Sequence, residues 1–451
     1  MQPRENSDST VWSNYLRTLQ ERDFCCNMGR ITKVSSLVVE STGPRVYVGE
    51  LCKIVGRGRQ AANCMAEVVG LRDRTVLLMP FGETRGIGLD GEVIGTGSSV
   101  SVDVGPGLLG RVIDPFGRPL DSRPIANVDD KLPLRGQHRN PLSRRKITEI
   151  FETGLRAIDT FLPIGKGQRI GIFSGSGVGK STLLGMIARE SRCDINVIAL
   201  IGERGREVGE FLNRTLGSSG LARSVVVVAT SDQPALVREL AAHTATAVAE
   251  YFSTEGKDVL LIMDSVTRFA MAHREIGLSV GEPATARGYT PSAFAAMPRL
   301  LERAGSFDGC GSITGIYTVL VEGDDLHEPV SDHMRAILDG HIVLSRDLAN
   351  HGHYPAIDLL KSISRLATDL WTKSERDTVR NALRLLGTRE RYRDMIDIGA
   401  YRRGSNPEVD QAIAVYPALE RFLSQEPDEN PSRAASFTQL QNLVAGHGDR
   451  K

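Results

Sequence analysis

One run constrains this chain more than any other: Ser174-Gly175-Ser176-Gly177-Val178-Gly179-Lys180-Ser181. It follows an apolar stretch at 169–173 and opens a helical one at 182–188. Strand, glycine-rich turn and helix, in that order, are the context a P-loop requires. Glycines let backbone N–H groups curl around phosphates, and the helix N-terminus adds positive potential. Gly175, Ser176, Gly177, Val178, Gly179, Lys180, Ser181 and Thr182 are therefore candidate nucleotide-binding residues. Lys180 is expected on the β- and γ-phosphates of ATP, and Ser181 is expected to place its hydroxyl on Mg²⁺. Ser174 departs from the generic pattern, which has glycine there, and an ordinary glycine-rich turn is the alternative reading.

Two further runs gain meaning from the first. Residues 259–263 are apolar and end in Asp264-Ser265. Asp commonly ends strands, but downstream of a P-loop a buried strand ending in a carboxylate is a candidate Mg²⁺ holder. Residues 197–201 end in Gly202-Glu203-Arg204-Gly205-Arg206-Glu207. In a parallel sheet that strand end faces the same crevice as the P-loop. Glu203 can then polarise water for in-line attack on the γ-phosphate. Its alternative is a surface ion pair with Arg204 or Arg206.

At 451 residues the chain is too long for one core, and two or three domains are expected. Trp12, Tyr15, Leu16 and Leu19 fall on one helical face, giving an N-terminal amphipathic helix within 1–25. Short β-rich runs at 31–40, 46–48, 65–69 and 75–81, separated by turn residues, predict a small β-barrel over 26–95. A Gly/Pro/Asp-rich connector at 105–119 leads onward. Strands at 169–173, 197–201, 224–229, 259–263, 312–320 and 341–344 alternate with helices. That pattern predicts parallel βαβ units across a 96–370 domain. Residues 371–451 read as a helical domain, broken at Gly399, Gly404 and Pro407, with a loose polar stretch after Ser424 and a last helix near 437–443.

Bulk properties exclude several classes. Lys+Arg and Asp+Glu both total 55, a balance that argues against a nucleic-acid binder. The six cysteines are scattered without CxxC spacing, as in reduced cytosolic proteins. The first residues lack an apolar signal-peptide core, and no apolar run approaches the roughly 18 residues of a spanning helix. A soluble protein, touching membranes at most from the surface, is expected.

Together these elements resemble the catalytic ATPases of type III protein export, the flagellar and injectisome enzymes, which are related to the catalytic β subunit of rotary ATP synthase. The similarity runs from about residue 109 to 416. Its most specific piece is Pro355-Ala356-Ile357-Asp358 with Ser362-Ile363-Ser364. Further matching runs lie at 154–159, 167–169, 264–269, 300–305 and 339–346. The resemblance implies an α/β, RecA-like P-loop ATPase core between the barrel and the helical domain. It implies that Glu203 is the catalytic carboxylate, Arg204 the γ-phosphate arginine and Arg268 a second basic group. It also implies that Tyr354 stacks on adenine and that Arg365 is an arginine finger reaching into a neighbouring subunit. A homohexamer follows, with a secretion regulator or stator, an export gate and chaperone–substrate complexes as partners. The expected location is cytoplasmic, peripheral at the inner face of the bacterial inner membrane.

Four readings compete: an export ATPase that releases chaperones and unfolds substrates, a catalytic subunit of a proton-coupled rotary ATPase, an RNA-translocating hexamer, and a paralogue that only binds nucleotide. Glu203 opposes the last. The 29–95 region has Tyr47 and Phe81 but no interleaved basic-aromatic motif, which opposes RNA. The stretch 398–408 and the run 321–325 look like the export branch rather than an acidic rotor-contacting loop. Between export systems, Gly-Ser-Gly-Val in the P-loop leans flagellar. The runs 274–278 and 180–184 lean slightly further towards the injectisome.

Overall fold

The computed structural model describes residues 12, 27–56, 63–136, 139–321, 323 and 325–445. The expected amphipathic helix, except for Trp12, lies outside the described residues, as do Cys25, Cys26, Glu322 and Asp324. Two compact units meet in sequence between Val100 and Ser101.

The first unit is a closed six-stranded barrel: β1 (Met28–Val34), β2 (Val39–Thr42), β3 (Glu50–Val55), β4 (Asn63–Arg72), β5 (Thr75–Pro80) and β6 (Glu92–Ser99), in spatial order β1-β2-β5-β4-β3-β6. Alternation builds it. In β3, Glu50, Cys52 and Ile54 turn inward and their neighbours outward. Ile31, Val39, Ile54, Val68, Leu78 and Val93 fill the interior. The run read as one strand at 31–40 is two, joined by a turn in which the Ser35 hydroxyl both donates to and accepts from Val38. Residues 46–48 lead into a turn rather than forming a strand.

The second unit is built on a sheet of β7 (Arg111–Ile113), β8 (Arg169–Ser174), β9 (Ile195–Glu203), β10 (Ser224–Thr230), β11 (Val259–Asp264), β12 (Ser312–Leu320), β13 (Gly340–Leu344) and β14 (Ile357–Ser364). Their order is β14-β13-β8-β12-β11-β9-β10-β7, and the short strand Gly305–Ser306 pairs with β12. Every pair along this order is parallel except β13–β14. Helices on the sheet faces explain why the central strands are buried on both sides; all six residues of β11 are buried. The expected connector therefore supplies an edge strand, β7.

The C-terminal helices Lys373–Arg391, Pro407–Leu423 and Arg433–Ala445 share one apolar cluster with the sheet: Leu385, Leu419, Phe422 and Leu440 pack in the same core as Ile357 and Leu359. Thr372 and Glu375 form a reciprocal capping box at the start of the first. The stretch after Ser424 is anchored rather than loose, because Gln425 is buried and fully hydrogen-bonded. No helix among the described residues is long and apolar enough to cross a membrane.

Candidate nucleotide site

The parallel sheet delivers five strand ends to one edge. Ser174 pairs with Leu320, Leu200 with Asp264, and Glu203 with Thr230. From Ser174 the chain turns through Gly177 and Gly179, both left-handed with φ of 77° and 86°, into the helix Lys180–Glu190. Only glycine adopts such angles at little cost. Val178 points back into the core and anchors the loop. Gly177, Lys180, Ser181, Glu203, Ser265 and Arg268 line a cleft of about 550 Å³.

The Lys180 ammonium lies 2.5 Å from Asp264 Oδ1 and 3.5 Å from Glu203 Oε1. Burial works against its charge, but Asp264 and then Glu203 outweigh that and hold its pKa above the usual lysine value. Burial, opposed by Lys180 and assisted by Asp264, pushes the Glu203 carboxyl up to about 7. A carboxyl poised near neutrality at the mouth of a phosphate cradle suits a general base. Glu203 pairs with neither Arg204 nor Arg206, which pair with Glu207 and Glu210; Glu207 stands beside it and adds to the rise.

Asp264 is buried and accepts a second hydrogen bond, 2.6 Å, from the Thr318 hydroxyl on the adjacent strand. Ser265 caps the next helix, Val266–Ser279, by accepting from the Arg268 N–H. The Arg268 side chain lies over Gly202, where an added Cβ would meet it at 3.1 Å. Arg204 stands at the cleft rim with its side chain largely in solvent. Tyr354 is half exposed and flanks the P-loop; a Cβ on Gly179 would lie 3.2 Å from its ring. For Mg²⁺ the cleft offers oxygen donors, the Ser181 hydroxyl and the Asp264 carboxylate, which that hard cation requires. The residues present fit the ion.

Of the residues singled out from sequence, Gly175 to Thr182, Glu203, Arg204, Asp264, Arg268 and Tyr354 converge. Arg365 does not. It follows β14, whose Ser364 pairs with Gly340 at the start of β13, whereas the P-loop leaves the sheet where Leu344 ends β13. Arg365 thus sits at the opposite sheet edge, exposed, donating to the Arg335 carbonyl at 2.8 Å. Sequence reasoning missed Thr318 and Gln425. Neither carries a motif, because each acts through a neighbour that only the fold supplies.

Known proteins share this plan. Residues 31–97 match the ATP synthase alpha/beta family beta-barrel domain, 154–364 that family's nucleotide-binding domain, and 371–442 the T3SS EscN ATPase C-terminal domain. The chain is 52% identical over 416 residues to the flagellum-specific ATP synthase of Bacillus subtilis, covering 92% of this chain and 95% of that protein. It is 47% identical over 419 residues to the type 3 secretion system ATPase of Xanthomonas euvesicatoria, covering 92% and 94%. The assembled ATPase EscN of the enteropathogenic E. coli type III secretion system superposes with a TM-score of 0.87 at 42% identity, covering 92% of this chain and all of that one. EscN in complex with its central stalk EscO superposes with a TM-score of 0.84, again at 42% identity over 92% of this chain and all of that one. With its P-loop, its paired carboxylates and these relatives over nearly its whole length, the chain belongs to the ATP synthase alpha/beta family, among the type III secretion and flagellar export ATPases.

Proposed function

We propose that the chain works as a homohexameric, Mg²⁺-dependent ATPase motor at the cytoplasmic face of a bacterial inner membrane, coupling hydrolysis to chaperone release, unfolding and export of proteins. The observation that carries this reading is the placement of Lys180 and Arg365 at opposite edges of one sheet. An arginine so placed cannot serve its own P-loop, but it can serve that of a second copy. A finger supplied in trans ties hydrolysis to assembly. Within the site we assign Lys180 to the β- and γ-phosphates, Glu203 to the attacking water, Arg204 to the γ-phosphate, Ser181 and Asp264 to Mg²⁺, and Tyr354 to adenine. A stalk-like regulator in the ring axis is supported by the likeness to EscN, whose central stalk is EscO.

The rotary ATPase alternative is less favoured, because residues 371–442 match the export C-terminal domain. The injectisome is kept as the system on the runs 274–278 and 180–184. The flagellar system is the second reading, supported by the 52% identity to a flagellar relative. The test is the specific ATPase rate against chain concentration. A rate that climbs and then saturates supports a ring with shared sites; a flat rate removes the hexameric motor. Restored effector secretion or restored motility, in strains lacking their own ATPase, separates the two systems.

A further inference from the structure

A second polar cluster is buried away from the cleft. The helix Ala235–Thr254 presents Glu239 and His243 one turn apart, and the helix Val266–Ser279 presents His273 opposite them. Glu239 Oε1 lies 3.0 Å from His243 Nε2 and 3.2 Å from His273 Nε2. The three donor atoms lie within 4.8 Å of one another. Glu239 is 1% exposed. Phe269 packs edge-on against both imidazoles, at 5.9 and 4.9 Å between centroids, and keeps water from that side. His273 Nε2 and Glu239 Oε2 are buried and make no well-aligned hydrogen bond, the first facing Glu239 Oε1 at 3.2 Å and the second facing Arg135 at 3.5 Å. Buried polar atoms of this kind are costly unless something satisfies them.

Two imidazole nitrogens converging on one carboxylate oxygen need N–H hydrogens or a metal ion between them. We propose that Glu239, His243 and His273 form a site for a zinc-type divalent cation, with water in the fourth position. The two carboxylate–imidazole distances fit: bonds of about 2.0–2.2 Å in a tetrahedron hold donors about 3.3 Å apart, and the imidazole pair lies within 4.8 Å. Imidazole with carboxylate is also a donor set that zinc accepts and that Mg²⁺, preferring oxygen throughout, does not. Two arginines stand near. Arg303 Nη1 donates to His243 Nδ1 at 3.4 Å, which leaves the ring proton on Nε2; a cation at Nε2 displaces that proton and ends the Arg303 contact, while two hydrogen bonds of 2.7 and 3.0 Å to Glu250 continue to hold Arg303. Arg135 reaches Glu239 Oε2, the oxygen that does not face the imidazoles, at 3.5 Å from a half-exposed position. The bound ion would clamp the helix that begins at Ser265, beside Asp264, to the helix that follows β10.

The experiment titrates the full-length, nucleotide-free protein with Zn²⁺ and, separately, with Co²⁺, whose visible absorption reports tetrahedral nitrogen and oxygen ligation. Wild type is expected to bind one equivalent with the tetrahedral Co²⁺ spectrum. His273→Gln and His243→Asn are expected to lose that spectrum and to weaken binding by more than about 100-fold, beyond the 10–100-fold of outer-shell changes. Circular dichroism confirms the fold of each variant, and Glu239→Gln replaces either one that does not fold. The proposal is overturned if wild type binds no equivalent, which leaves protons alone in the cluster, or if both ions bind the variants undiminished, which places them on cysteines or elsewhere.

Discussion

The backbone N–H of Gln425 donates to the carbonyl of Tyr354 at 2.9 Å, so the C-terminal region holds the residue that flanks the P-loop. The Gln425 side chain accepts from the Arg156 N–H at 2.9 Å and donates to the Gly154 and Glu429 carbonyls, both at 2.8 Å. Gln425→Ala leaves buried backbone groups unpaired, a loss of about 1–3 kcal/mol. The urea midpoint should fall accordingly. The KM for ATP should rise, because the segment whose N–H braces Tyr354 loses its side-chain anchor to Gly154 and Arg156. An unchanged midpoint would mean that water replaces the amide.

Thr318 steadies Asp264 from the neighbouring strand. Thr318→Val keeps the shape and removes the donor, leaving Lys180 as the direct partner of Asp264 Oδ1. We expect the Mg²⁺ concentration for half-maximal ATPase to rise by about tenfold or more, since a net hydrogen bond to a charged group is worth about 1.5–3 kcal/mol. Thr318→Ser should restore it. A Val variant with wild-type Mg²⁺ dependence would confine Thr318 to packing.

Glu203 gives a prediction with a definite sign. A glutamate in the unfolded chain titrates at about 4.3; in the folded chain burial has raised Glu203 to about 7. Between those values the folded state holds the extra proton. The group's contribution to stability is therefore fully present below the unfolded value and lost as pH rises through the folded one. The melting temperature of wild type minus that of Glu203→Gln should decline from pH 4.5 to 7.5 and then level off. Hydrolysis by wild type should rise over the same interval as the base ionises, while Glu203→Gln binds ATP without cleaving it. Near-normal turnover in that variant would move the catalytic carboxylate elsewhere.

The site was legible in sequence wherever function forces local chemistry. Glycine at positive φ, lysine at a helix start and carboxylates ending apolar strands are each set by a few consecutive residues; β11 is apolar up to Asp264, and β8, β9 and β12 are mostly apolar and buried almost throughout. What escaped was set by distant pairing. Residues 312–320 read as a strand, but nothing in them says that they lie beside β11 and aim Thr318 at Asp264. Residues 424–430 are polar and Pro-containing, which reads as loose, yet one buried amide ties them to Gly154 and Arg156. The barrel strand β6 was missed because its glycines and serines, Gly95 to Ser99, break the β-branched pattern.

Arg365 offers the sharpest test of shared sites. Arg365→Ala should retain nucleotide binding, since the residue lies at the sheet edge away from its own P-loop, yet lose about 10³-fold or more in turnover if it stabilises transition-state charge. Lys180→Ala should be inactive for the complementary reason. If each site joins the P-loop of one chain to the arginine of the next, mixing the two dead variants and letting subunits exchange rebuilds intact sites. In a random ring about one interface in four pairs a good lysine with a good arginine. Turnover in the mixture should climb from nothing towards that fraction, and more slowly in dilute protein. Two variants that stay inactive together while forming mixed oligomers would place Arg365 outside the neighbouring site.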